Sequence, residues 1–377
     1  MKEHKKRAPE TAISETPNKC QSTPNTPYYI IKEGDCQEIL SKPSKELQKM
    51  SPKKELTGAL SKSYQRLGLL KRADFVKHCG DRLQFLVSIK DNALTESKLT
   101  FANFCRDRLC PLCTYRKTLR TFNQLSSIMN VIGDKYRFLM LTLTIPNVIG
   151  DELPNTIDKL MKGIDRLFKR SRVKKAVKGY FRALEVTRNE DTGTYHPHYH
   201  FILAVNKSYF TNDEYIKRDE WLKYWQDAMN DYTITQVDIR VIKPSQAKKE
   251  GSQSTHNIYE KAVAEVGKYT VKSEDYIFVS DPTLMDEVVS TINKALHGRR
   301  LVHLSGIFKK VAKDLKIDFD DPTLTDEVAE PLTHFLVITY EWTVGFKSKS
   351  MYKPLSIEHM NTATDSGLVV ARKYNIK

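Results

Sequence analysis

Three histidines occupy alternate positions in HPHYHFILAV, residues 196–205, at the head of an apolar run. In a strand, side chains at i, i+2 and i+4 point to one face. His196, His198 and His200 would therefore share a face, with Tyr199, Phe201 and Leu203 on the other. Such a row can present two or three imidazole nitrogens to one divalent cation, and an acid on an adjacent strand could complete the site. Glu185 is the candidate acid. GYFRALEVTRN and TYHPHYHFILAV flank EDTG and read together as a β-hairpin. A four-residue loop, Glu190 to Gly193, pairs Asn189 with Thr194 and sets Glu185 opposite His198. A five-residue loop would turn Glu185 to the other face.

Two further groups could do chemistry. In EVGKYTVKSEDY, residues 265–276, Glu265 and Tyr269 are four apart, hence neighbours on one helical face, with Lys268 and Lys272 alongside. A phenol beside cations and near a metal can become a nucleophile towards a phosphodiester. In CGDRLQF and FCRDRLCPLCTYRK, Cys110 and Cys113 make one chelating corner that Cys105 and Cys79 could complete as a tetrahedral zinc site, with His78 a substitute for Cys79. Arg106, Arg108, Arg116 and Lys117 are interleaved with these cysteines, which suggests that the module also touches DNA.

The elements that must position these groups can be read along the chain. Residues 1–55 are rich in Lys, Ser, Thr and Pro, carry Cys20 and Cys36, and read as a flexible basic leader with helical traces near Leu40. Residues 56–130 form the cysteine-rich module. RFLMLTLTIPNV, 137–148, reads as a buried strand ended by Pro146. Residues 154–170 carry apolar side chains at helical spacing. Between Lys159 and Arg182 stand ten Lys or Arg against one acid, Asp165. Lys162, Arg166, Lys169, Arg170, Arg172, Lys174, Lys175 and Lys178 in this run are the candidate contacts to a phosphate backbone. A helix over 211–230 opened by Thr211 or Asn212, a strand in YTITQVDIRVI and a helix over about 256–272 follow. The region 281–377 adds two helical stretches and the strand FLVITYEWTV, with DNA recognition a candidate role.

The net charge of +15 and pI near 9.3 favour a polyanionic partner, nucleic acid before membrane. No apolar run approaches the roughly 18 residues that span a bilayer, and no signal peptide follows the opening MKEHKKRAPE, so the cytoplasm is the expected location. Six cysteines at these spacings point to metal rather than disulfides.

Taken in order, these segments resemble the rolling-circle replication initiator (Rep) proteins of small bacterial plasmids, within the HUH endonuclease superfamily. FLMLTLTIPNV resembles the first motif, HPHYHFILAV the second, with His198-Tyr199-His200 as its core, and EVGKYTVK the third, with Tyr269 and Lys272. FCRDRLCPLC and ALHGRRLVHLSGIFK also resemble segments of that group, and the likeness spans roughly residues 70–315. It implies an α+β fold: an antiparallel sheet of about five strands with packed helices, the metal histidines on a central strand of a domain over 131–280.

The resemblance also implies a reaction. His198, His200 and Glu185 would hold Mg²⁺ or Mn²⁺, with His196 left open as a ligand. Tyr269 would attack the scissile phosphate at the double-strand origin, leaving a 3′-OH primer and a 5′-phosphotyrosine link, and the displaced strand would later be closed. Glu265 would activate water at termination. Lys272 would hold a phosphate or favour ionisation of the phenol. Lys268 is a further candidate DNA contact. The partners implied are double- and single-stranded origin DNA, a host helicase and a DNA polymerase, and a homodimer is possible. Two other readings compete. A mobilisation relaxase or single-strand transposase keeps the chemistry, but relaxases place the tyrosine before the histidines and the transposases are shorter and lack the cysteines. A non-catalytic zinc-containing DNA-binding regulator leaves the histidine row unexplained.

Overall fold

The computed structural model describes residues 44–90, 93–243, 259–267, 271–326, 334–345, 349–361 and 369–375. The chain opens with α1 (Lys45–Arg66) and α2 (Leu70–Lys77), then β1 (Arg82–Lys90), β2 (Ala93–Ala102) and α3 (Pro111–Ile132). Next come β3 (Tyr136–Leu143), α4 (Leu153–Lys169), α5 (Ser171–Ala176), β4 (Val177–Arg188), β5 (Tyr195–Asn206), α6 (Arg218–Met229) and β6 (Val237–Ile242). α7 (Glu260–Val266), α8 (Pro282–Leu296), β7 (Val302–Ser305), α9 (Gly306–Asp314), β8 (His334–Thr343), β9 (Met351–Asn361) and β10 (Val369–Asn375) complete it. No helix among the described residues is long and apolar enough to cross a membrane.

The strands form two five-stranded sheets, ordered β6-β3-β5-β4-β7 and β10-β9-β8-β1-β2, and every ladder between named strands is antiparallel. The first is the expected α+β sheet. Its central strand β5 is buried from Tyr199 to Val205 because helices cover both faces, which explains why its sequence loses the in-out alternation beyond His200. One face packs Phe138, Met140, Phe181, Ile202 and Ala204 against α3, α7 and α9. The other turns Tyr180 and Phe201 to Phe168 of α4. α6 lies so close to α4 that a Cβ on Gly163 would sit 2.2 Å from the Met229 sulfur.

The second sheet was not expected. It joins β1 and β2 of the cysteine-rich segment to three strands from the end of the chain, aligning Leu83, Phe85 and Val87 with Tyr340, Ile338 and Leu336 in one buried row. The segments 56–130 and 281–377, read as separate regions, thus share a sheet, a pairing between strands some 250 residues apart that no local pattern announces. Residues 45–55, assigned to the flexible leader, lie in α1, whose N-terminus is capped by Ser44. Residues 1–43 lie outside the described residues.

Arg116 ties α1, α3 and the approach to β8 together. Its guanidinium, 4% exposed, pairs with Glu46 and with Asp326 at 2.7 Å and donates to the Leu324 carbonyl at 2.8 Å. Arg116→Met leaves two acids without their cation and is expected to destabilise the fold by about 2–4 kcal/mol, read from the midpoint of denaturant unfolding at constant slope. An unchanged midpoint would mean that the acids are adequately solvated without it.

Two helix expectations need correction. The helix expected over 211–230 begins only at Arg218. Upstream, Asn212 accepts the Glu214 N–H and the Tyr209 hydroxyl exchanges hydrogen bonds with Ile216, so side-chain turns hold the backbone that a helix would need. The helix expected to reach 272 ends at Val266, with Gly267 as its C-cap. Lys272 is extended and leads into a short 3-10 turn, Ser273–Asp275.

Candidate active site

The β4–β5 hairpin has the four-residue loop. The Asn189 N–H donates to Thr194 O at 2.8 Å, and Glu185 pairs across the ladder with His198. Glu185 also sits diagonally from His200, and the carboxylate meets both rings. Oε2 lies 2.8 Å from His200 Nε2 and 3.3 Å from His198 Nε2. Burial opposes ionisation of Glu185, but hydrogen bonds from His198 and His200 outweigh it and hold the carboxyl well below the usual range.

Each ring is oriented from behind. His198 Nδ1 donates to the His196 carbonyl at 3.1 Å, and His200 Nδ1 lies 3.1 Å from the Thr142 hydroxyl of β3, leaving both Nε2 atoms towards Glu185. The three ligand atoms lie within 4.8 Å of one another. Cis ligands of an octahedral cation with bonds near 2.1 Å stand about 3 Å apart, so this spacing suits a hard divalent ion.

His196 is not part of this group. Nε2 is 2.5 Å from the Thr144 hydroxyl and Nδ1 is 2.8 Å from Asn147 Oδ1, so both nitrogens are committed to neutral partners. The bend of the chain after β3 brings Thr144 and Asn147 there, which strand alternation alone does not reveal.

Lys272 reaches the site: its Nζ is 3.9 Å from Glu185 Oε1. α7 lies on the same face of the sheet as the histidines, with Val263 and Val266 buried beside Ile202 and Ala204, and it carries the half-buried Glu265. Lys268 and Tyr269 lie outside the described residues. Sequence reading missed Asp275. Its carboxyl is pushed up by burial, with Lys272 opposing and the Glu185 charge adding to the shift, and its Oδ2 has no hydrogen-bond partner among the described residues.

The four cysteines converge as expected. Sγ of Cys79 lies 3.4 Å from that of Cys113 and 3.6 Å from that of Cys110, and Cys105 lies 3.6 Å from Cys113. A tetrahedral Zn–S bond of 2.3 Å implies sulfurs about 3.8 Å apart. Gly80 and Arg106, which follow Cys79 and Cys105, both adopt positive φ, at 70° and 58°. These turns aim backbone N–H groups at sulfur: Cys105 N donates to Cys79 Sγ at 3.4 Å and Arg106 N to Cys113 Sγ at 3.2 Å. Hydrogen bonds from the other three thiols favour the Cys79 thiolate, while burial pushes the Cys110 thiol up. His78 points away, its Nδ1 2.8 Å from Asp81.

The basic run on α4 and α5 reads in sequence as a contact to a phosphate backbone. It lies across the sheet from the histidines, and most of its heads are spoken for. Arg166 donates to the Ala228 carbonyl, Arg170 meets Asp227 at 2.5 Å, Arg172 donates to the Tyr215 carbonyl, Lys175 meets Asp213 at 2.6 Å and Lys178 meets Glu214 at 3.1 Å. The local count of signs overlooked these acids because they come from 213–227 and reach the run only in three dimensions. Lys162, Lys169 and Lys174 remain exposed. Arg108 donates to the Leu296 and Arg299 carbonyls and so braces a turn, whereas Arg106 is exposed beside a cleft.

Residues 96–352 match the family model described as "Replication protein". The chain is 36% identical over 300 residues to a "Protein rep" of Bacillus amyloliquefaciens, covering 74% of this chain and 84% of that one. It is likewise 36% identical over 241 residues to a "Protein rep" of Staphylococcus aureus, covering 63% and 98%. A "Protein rep" of Streptococcus pneumoniae is 35% identical over 251 residues, 64% of this chain and 71% of its own. No solved structure matches. With the family model spanning most of the chain and the histidine motif folded into a carboxylate-imidazole cluster, the chain belongs to the replication-protein (Rep) family of rolling-circle plasmid initiators.

Proposed function

We propose that this initiator is a metal-dependent nicking and closing enzyme acting on its plasmid's double-strand origin. The observation that carries the reading is the convergence of Glu185, His198 and His200 on one point. These residues would hold Mg²⁺ or Mn²⁺, which when bound polarises the scissile phosphate. The Tyr269 phenol gives up its proton as its oxygen attacks phosphorus, a P–O bond to tyrosine forms, the P–O3′ bond breaks, and the departing oxygen takes up one proton to become the 3′-OH primer. Lys272, beside Glu185, would steady a non-bridging phosphate oxygen. At termination Glu265 would take a proton from the attacking water, in keeping with its place on the helix over the same sheet face. A host helicase and a DNA polymerase as partners, and a homodimer as one option for assembly, are proposals that rest on the family resemblance alone. The cysteine cluster, whose sulfur spacing suits zinc, is read as structural.

The test is nicking of a supercoiled plasmid carrying the protein's own replicon, with Mn²⁺ or Mg²⁺. Metal-dependent nicking with protein joined to the 5′ end is expected, lost in Tyr269→Phe and with the adduct persisting in Glu265→Ala. Tight, salt-sensitive binding without nicking under either metal would instead favour the non-catalytic regulator.

The ion pairs on α4 and α5 make a separate expectation. Arg170→Ala should leave the slope of log Kobs against log salt for duplex binding unchanged, since Asp227 already neutralises that cation. Joint replacement of Lys169 and Lys174 by Ala should reduce it by at most about 2. A larger change for Arg170→Ala would show that DNA displaces Asp227.

A further inference from the structure

A cleft of about 500 Å³ opens between α3, the end of α7 and the turn before β7. Its lining is mainly apolar, with Val266, Val271, Leu301, Val302 and Phe319 among the walls. Ala183 also lines it, two residues before Glu185 on β4 and on the same face, so that their Cα atoms are roughly 7 Å apart. The cleft therefore adjoins the metal triad.

Most cations around the cleft are already engaged. Arg300 pairs with Asp320 at 3.1 Å, Lys117 donates to the Phe319 carbonyl, Arg299 pairs with Asp158 at 2.7 Å, and Arg108 holds backbone carbonyls. Arg106 differs: its guanidinium makes no hydrogen bond or ion pair with a described residue. Its φ of 58° is one that side-chain-bearing residues seldom adopt, and its N–H is held by the Cys113 sulfur. It also borders a second cleft of about 400 Å³ that shares this wall.

We propose that the 500 Å³ cleft seats one unpaired nucleotide of the strand being cut, its base against the apolar wall and its phosphate on Arg106, and that the cysteine cluster is what aims Arg106. The proposal rests on the nicking reading above. The volume lies in the range of small-ligand sites. An apolar wall beside one uncommitted guanidinium matches a nucleotide's two halves, a flat base and a phosphate that takes paired N–H donors. An enzyme that cuts a strand at a defined step gains register by holding a neighbouring base out of the stack.

The test uses the full chain and a dT12 single strand carrying one 4-thiothymidine. Binding is measured at 0.15 M salt, and photo-crosslinks are mapped to peptides. Arg106→Gly removes the guanidinium while suiting the positive φ, and Thr118→Trp fills the cleft from α3 without changing charge. Each is expected to weaken dT12 binding about tenfold and to remove crosslinks to the peptide containing Leu301 and Val302, while a control Lys223→Ala, an exposed cation on α6, keeps them. Crosslinks confined to α4 and α5, or unaltered in both cleft variants, would overturn the proposal. Nicking is assayed on the same preparations. Cleft crosslinks without any wild-type nicking would sustain the binding site and sink the nicking reading, whereas intact nicking with crosslinks elsewhere would sink only the cleft.

Discussion

Replacing His200 by alanine is expected to lower metal-dependent nicking by at least about a thousandfold, because a bound cation supplies several kcal/mol of charge stabilisation and each 1.4 kcal/mol is a factor of ten in rate. His200 carries this weight for a geometric reason. It is 8% exposed, its Nε2 makes the shorter contact to Glu185, and its other nitrogen is braced by Thr142 on the neighbouring strand. Glu185→Gln should match the loss, since it keeps the shape and removes the charge. Thr142→Val, which touches only the brace, should cost about 10–100-fold. His196→Ala should cost less, because its nitrogens are committed to Thr144 and Asn147. Mn²⁺ binding by calorimetry separates the causes: His200→Ala and Glu185→Gln should lose it while retaining wild-type circular dichroism. If His196→Ala lost metal and activity as His200→Ala does, the assignment of the triad would be wrong.

The triad was legible because everything it needs is local. A hairpin with a four-residue loop fixes register, and register fixes which acid faces which histidine. Glu185 opposite His198 follows from counting across Glu190 to Gly193, and the structure has that pairing. The four cysteines of the cluster were all legible, although only the corner Cys110–Cys113, at the start of α3, is local and Cys79 and Cys105 arrive from the two sides of the β1–β2 hairpin.

What stayed hidden depends on distant partners. The basic run looked uncompensated because its acids lie on a segment some 35–60 residues away, and charge counted along the chain says nothing of charge paired across it. The second sheet was hidden for the same reason, since β1 and β8 pair across some 250 residues of chain. The helix carrying Glu265 was read too long because Lys, Tyr, Thr and Val after Gly267 do not break a 3.6-residue pattern on paper, although Gly267 caps it in the fold.

Replacing Cys113 by serine is expected to release about one zinc per chain and to destabilise the protein by more than about 4 kcal/mol, because a thiolate site formed only on folding adds its metal affinity to stability. Cys113 and Cys79 are the two central sulfurs of the cluster, each within 3.6 Å of two others. The Cys113 sulfur is close to those of Cys79 and Cys105, accepts the Arg106 N–H, and sits in the first turn of α3. A strong chelator should shift the wild-type unfolding midpoint towards that of Cys113→Ser and leave the variant's own midpoint unchanged. Wild-type protein with no zinc and no response to chelator would mean four free thiols packed as small apolar side chains. The cluster also lies between two functions: Gly80, beside Cys79, accepts the Tyr352 hydroxyl of the second sheet, and Arg106, beside Cys105, borders the cleft that adjoins the triad. Loss of the metal should therefore loosen the joint between the sheets and weaken single-strand binding together, while Arg106→Gly weakens binding alone; it is this difference that distinguishes a cluster that positions a DNA contact from one that merely holds the fold.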